Sequence, residues 1–256
     1  MKQRWVQIIL LTLMIVIITQ NSVLAETKFT IPNLKIEIGD GTEGGGPQDL
    51  ALSLKILFLL TTLTLAPAIL ILVTSFTRII VVLSLLRRAL ATQQMPPNQV
   101  IIGLAIFMTI YIMAPVWTQI NDQALQPYLN EEINQGVALE TALNPLREFM
   151  FKQTREKDLA LFVNMSKVDR PNNKDDIPTY VLVPAFVISE LKTAFQIGFM
   201  IYLPFIVIDM IVASTLMSMG MMMLPPVMIS LPFKILLFVL VDGWYLVIKS
   251  LVETFH

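Results

Sequence analysis

Four long apolar stretches dominate the chain. They run from about Ala51 to Leu86 with Pro67 inside, from Val100 to Ile120, from Val181 to Met219 and from Val227 to Val252. Breakers separate them: Met95-Pro96-Pro97-Asn98 precedes the second and Leu224-Pro225-Pro226 the fourth. A polar segment, Asn121 to Thr179, divides the stretches into two pairs. Within it Leu139, Leu143, Leu146, Phe149 and Met150 recur at three- and four-residue spacing, which predicts helix from Glu131 to Met165. Asn144-Pro145 interrupts that pattern, with Asn144 placed to cap and Pro145 to open a new helix. Lys167 to Pro178 reads as a loop on the turn chemistry of Asp169, Arg170, Pro171, Asn172, Asn173, Lys174, Asp175 and Asp176. No internal repeat is evident.

The first fifty residues differ in kind. Lys2 and Arg4 precede an apolar run from Val6 to Ile18, and Ser22-Val23-Leu24-Ala25 then offers small residues at a cleavage position. This tripartite pattern predicts a secretory signal cut after Ala25, leaving Glu26 as the mature terminus. An uncleaved anchor is the alternative, but the run is short of the roughly 20 apolar residues that a span needs. Thr30 to Ile38 alternates weakly, as a short strand would, and Gly39 to Pro47 reads as a flexible linker.

Composition agrees with the pattern. Of 256 residues 55% are hydrophobic and only 14% charged, against about 25% charged in soluble domains; the mean hydropathy is +0.70. The chain belongs to the membrane class, or neighbours cover most of its surface. A formal charge of -1 supplies no basic field, which argues against nucleic acid as a partner. Without cysteine there are no disulfides or thiolate sites, and the one histidine, His256, leaves no metal cluster or Ser-His couple in the body of the chain. No cofactor is expected. Gly198 and Gly220 have no Gly-Lys-Ser/Thr nearby, so a Walker A route to nucleotide hydrolysis is absent.

Charge placement leaves the topology ambiguous. With the mature N-terminus outside, four crossings put 121–179 outside and Arg87 and Arg88 inside, as the positive-inside rule requires. The turn from Met217 to Pro226 would also be inside, yet it has no Lys or Arg. Lys55, Arg78, Glu190, Lys192, Asp209, Lys234 and Asp242 lie within the apolar stretches. An ionisable group facing lipid costs roughly 2.5–3.5 kcal/mol, so seven are too many for lipid-bathed helices. Some would snorkel and the rest face protein or water. Glu190 and Lys192, two apart, do not face each other on a helix. Glu190 therefore needs another partner, and Lys234 or Arg155 across a subunit boundary is the expectation. Asp209 and Asp242 raise a paired-aspartate protease as an alternative, although Asp242-Gly243-Trp244 has no protease signature.

Met217, Met219, Met221, Met222 and Met223 form the densest methionine cluster. Gly220 and the Pro225-Pro226 stop favour an exposed turn and serve as its hinge. Methionine is unbranched and adaptable, so such turns meeting on an axis could close a pore and deform around a passing chain. Ordinary membrane packing is the other reading.

Four blocks together resemble the FliP family of type III export-gate proteins. They are Pro184–Phe199 (PAFVISELKTAFQIGF), Pro204–Pro226 (PFIVIDMIVASTLMSMGMMMLPP), Leu231–Lys234 with Val241–Trp244, and Ser75–Ile79 with Gln94–Gln99. The resemblance covers about Leu50 to Val252. It implies an all-α protein of membrane-associated helical hairpins in an oligomeric assembly, with a helical extracytoplasmic insertion. The expected regions are 1–25 signal, 26–50 flexible segment, 51–120 first hairpin, 121–180 polar insertion and 181–256 second hairpin. It further implies a homopentamer with FliQ and FliR, other export-gate proteins as neighbours, and helices held largely above the bilayer plane. The implied function is non-enzymatic: conducting unfolded flagellar polypeptides across the bacterial inner membrane, with the methionine loop as pore gasket and energy supplied by partners or the proton gradient. Injectisome relatives share the core blocks, and the cleavable signal favours the flagellar branch. A small-solute or proton channel using Glu190 and Asp209, or a passive scaffold, would be the other classes.

Overall fold

The structure, a computed structural model, describes residues 47–92, 94–166, 171, 173–221 and 223–255. The predicted signal with its Ala25–Glu26 cleavage point, the strand at 30–38 and the linker before Pro47 lie outside the described residues. The residues from Leu54 onward form one compact unit. Every described element except the first turns of the first helix belongs to it.

All regular structure among the described residues is helical, as expected. α1 spans Pro47–Leu72, α2 Phe76–Ala89 and α3 Asn98–Ile120; a π-helical turn, Asn121–Leu125, leads into α4, Gln126–Leu129. α5 is Gln135–Gln153, α6 Glu156–Met165, α7 Thr179–Ser218, α8 Pro226–Leu240 and α9 Gly243–Glu253. Ser53–Leu72, Asn98–Leu129 and Thr179–Ser218 are long and apolar enough to cross a membrane, and α8 with α9, bent by 64°, would make a fourth crossing.

α2 organises the core. Ile79, Val82, Leu83, Leu86 and Ala89 recur at helical spacing and are all buried. Ile79, Val82 and Leu83 meet Ile101, Ala105, Met108 and Ile112 of α3, Ala194 of α7, and Leu251 of α9 with Phe255 beyond it. Gly198 permits the close approach of α2 to α7, because a Cβ there would stand 2.2 Å from Leu85 Cδ1. Farther along, Leu86, Ala89 and Leu90 pack on Phe205 and Phe238, and Val73 packs with Met150, Leu182 and Phe186.

The helix boundaries depart from the sequence expectation at three places. The first apolar stretch, read as one run from Ala51 to Leu86, stays helical through Pro67 but breaks at 73–75. There the hydroxyls of Thr74 and Thr77 donate to Ile71 O at 3.5 and 3.3 Å, satisfying a carbonyl at the end of α1. Asn144-Pro145 starts no new helix. α5 runs through it from an Asn134 cap, whose Oδ1 accepts from Val137 N at 3.0 Å. Pro145 is buried where α5 packs on α3, and that packing outweighs the one backbone hydrogen bond proline removes. The fourth stretch bends at Asp242, in the left-handed region at φ 51.

Candidate functional site

The turn between α7 and α8 is built by its own backbone. Met221 N donates to Leu216 O and Gly220 N to Met217 O, both at 3.0 Å, with Gly220 at φ 75. This is the paired hydrogen bonding of a glycine-terminated helix, and a glycine meets its positive φ at least cost. Pro225 then precedes α8 and Pro226 occupies its first turn, where no N–H is needed. The expected hinge residues Gly220, Pro225 and Pro226 therefore end one helix and begin the next. Met217 and Met219 are exposed and Met223 is 98% exposed; Met221 is half-buried. Met222 lies outside the described residues. No charged residue occurs between Asp209 and Lys234, so the whole tip is apolar or neutral.

Charge within the apolar helices is tied off below that tip. Lys234 Nζ lies 2.6 Å from Asp209 Oδ2 and 3.4 Å from Ala89 O, while Ser230 Oγ donates to Asp209 Oδ1 at 2.5 Å. α7, α8 and the end of α2 are thus joined at one point.

Glu190 is fully buried and its partner is Arg78. Arg78 Nε donates to Oε2 at 3.0 Å and Nη2 bonds Oε1, a bidentate pair. The remaining guanidinium donors are also used. Nη1 donates to Thr254 O and Oγ1, each at 3.0 Å, and Nη2 to Gln153 Oε1 at 3.0 Å. The Phe255 ring stacks 3.9 Å from Arg78 Cζ, and Phe255 O accepts from Gln153 Nε2 at 3.3 Å. Within the chain neither Lys234 nor Arg155 meets Glu190; both carboxylate oxygens are already taken by Arg78, a partner the sequence expectation did not name. Lys234 sits at the level of Asp209, which is 19 positions, or about 28 Å, along α7 from Glu190.

Arg155 is held elsewhere. Its Nη2 lies 2.5 Å from Asp158 Oδ2, which also accepts from Ser189 Oγ at 2.7 Å; Ser189 Oγ in turn accepts from Arg155 N at 3.1 Å. This clamp fixes the start of α6 against α7. Burial pushes the Asp158 carboxyl up, but the Ser189 and Arg155 hydrogen bonds, with the positive charges of Arg155 and Lys192, outweigh it and hold it below the usual range. Lys55, Lys192 and Asp242 are exposed.

The inventory of seven charges already contained both pairs, but sign alone left each carboxylate four candidate cations, Lys55, Arg78, Lys192 and Lys234. Gln153, Thr254 and Phe255 carried no such signal. Among the described residues no group of His, Cys, Asp and Glu is placed to hold a metal.

Comparison with known proteins follows the same residues. The family model described as "FliP family" matches 59–251. The chain is 62% identical over 209 residues to the flagellar biosynthetic protein FliP of Bacillus subtilis (strain 168), covering 82% of this chain and 95% of that protein. It is 54% identical over 211 residues to that of Pectobacterium carotovorum subsp. carotovorum, covering 82% of each. For that of Borreliella burgdorferi the identity is 52% over 213 residues, with 82% and 84% covered.

Proposed function

This chain belongs to the FliP family, and on that footing we propose that it is a pore-forming core subunit of a flagellar type III export gate. In this reading it sits in the bacterial inner membrane at the flagellar basal body and passes unfolded flagellar polypeptides outward. It does so as a homopentamer together with FliQ and FliR. The relatives' shared name, flagellar biosynthetic protein, supports the flagellar branch over the injectisome one.

The methionine turn carries the proposal. Exposed thioethers crown a hairpin whose charges are paired farther down, so several copies around an axis would present a flexible apolar ring. A ring without a fixed hydrogen-bond pattern accepts chains of any sequence. Empty, it closes as a dry constriction, which stops ions by dewetting. Replacing Met219, Met222 and Met223 with Ala removes this fill. Cells with the triple-Ala complex should take up small solutes or conduct ions severalfold faster than wild type, with the complex still recovered intact. Equal leak from intact complexes places the seal elsewhere.

A further inference from the structure

The chain leaves α1 and enters α2 through residues 73–75, and this break opens backbone hydrogen bonds in the interior. On either side of it the ladder holds: Val73 N reaches Ile69 O at 3.0 Å, and Ile79 N reaches Ser75 O at 3.3 Å. An unbroken helix would also join Thr77 N to Val73 O and Arg78 N to Thr74 O. Neither bond forms, and in the first turn of α2 these N–H groups have no partner within the helix. Val73, Thr74, Thr77 and Arg78 are all buried. Ser75 stands at the N-cap of α2, where a serine ordinarily accepts from the second or third N–H of the helix, here Thr77 or Arg78. Its side chain does not do so. Ser75 is fully buried, and its Oγ has no hydrogen-bond partner among the described residues. Buried donors and acceptors left open in one place are costly, and folded proteins satisfy nearly all of them.

We propose that a buried water molecule is bound in this break, held by Ser75 Oγ and bridging the open backbone bonds between residues 73–74 and 77–78. The proposal does not rest on the pore reading, and it does not depend on what surrounds the chain, because these residues are buried within it. A water inserted into the i to i−4 ladder is one of the few recognised causes of a sharp break in a helix. It accepts from an N–H, donates to a carbonyl and takes a third bond from the serine, the usual number for an internal water. An anion would suit the N–H groups but be repelled by the carbonyls. The nearest cation is also spent, since the Arg78 guanidinium is bonded to Glu190, Thr254 and Gln153. The Thr74 and Thr77 hydroxyls are engaged with Ile71 O, and Phe76 N meets Thr74 Oγ1 at 3.5 Å. Ser75 is left as the hydroxyl that can hold the water. Through it the end of α1 is tied to the turn that carries Arg78.

The test uses the complex purified with its co-expressed partners. An electron cryomicroscopy map fine enough to show ordered water should have a peak about 2.7–3.2 Å from Ser75 Oγ and from Thr77 N or Arg78 N. A map in which Ser75 Oγ bonds directly to protein, or faces packed carbon with no peak, overturns the proposal. So does a peak that strengthens when chloride is replaced by iodide, because the occupant is then an anion. A second readout needs no map. Brief X-ray irradiation turns bound water into hydroxyl radicals, which mark the nearest side chains. Val73 borders the break, whereas Val82, equally a buried valine, lies where the α2 ladder is intact. Val73 should be labelled severalfold faster than Val82, and that excess should vanish in Ser75→Val, which replaces the hydroxyl with a methyl group. Equal labelling of the two valines in the wild type refutes the water, as does an excess that persists in the variant, since its source is then bulk solvent.

Discussion

Arg78 and Glu190 show how much a single residue can hold. Glu190 compensates an otherwise isolated cation in an apolar interior, and the same guanidinium reaches Thr254 and Gln153. Removing one partner of a buried pair leaves an uncompensated charge, at a cost of about 3–5 kcal/mol, whereas replacing both by apolar groups is often neutral. Glu190→Ala should therefore depress the thermal midpoint of the purified complex and its yield. Glu190→Leu combined with Arg78→Leu should recover a substantial part. Equal stability of wild type and Glu190→Ala would show that Arg78 is neutralised by something other than this carboxylate. Sequence alone made it plain that charges in apolar runs need partners. It could not say which, because Arg78 and Glu190 are 112 positions apart and meet only through the crossing of two helices. The methionine tip was legible for the opposite reason: its residues are contiguous, and Gly220 and two prolines mark its ends.

At the scale of elements, α6 is held to α7 by the Asp158, Ser189 and Arg155 clamp. Because Asp158 titrates lower in the folded chain than its ordinary 3.8, its contribution is complete above that value and is lost as pH falls through the folded one. Hydrogen-exchange protection of residues 154–166 should hold between about pH 7 and pH 5 and weaken in more acid solution. Asp158→Asn should start weaker and lose that acid-side change; an identical profile in the variant would exclude the clamp as its cause. Element boundaries were the least readable feature of the chain. Asn144-Pro145 was expected to start a new helix, yet Pro145 lies inside α5, as Pro67 and Pro204 lie inside α1 and α7. Packing around these helices compensates for the one missing hydrogen bond, while at the break the Thr74 and Thr77 hydroxyls donate to Ile71 O.

For the whole molecule, the surplus of exposed apolar side chains points to assembly. Phe195, Phe199, Met200, Leu203, Met210 and Ile211 lie uncovered along α7, and a contiguous apolar patch of that kind marks an interface or a membrane-facing surface. α7 has 40 residues and is about 60 Å long, twice the hydrocarbon thickness, so part of it lies beyond the bilayer core unless it tilts steeply. The proposed assembly has a direct check: the complex purified with co-expressed FliQ and FliR should weigh as five copies of this chain plus partners. A mass equal to one copy would refute the homopentamer.

The site around Arg78 also sets a timetable. Synthesis proceeds at roughly 5–20 residues per second, so Glu190, 112 residues later, is added about 6–22 s after Arg78. Thr254, which closes the site, lies 176 residues downstream of Arg78 and follows it by about 9–35 s. During that interval the nascent chain carries a bare guanidinium on a helix destined for the interior. The core around α2 is therefore completed late in translation, because the groups that close it lie near the end of the described chain.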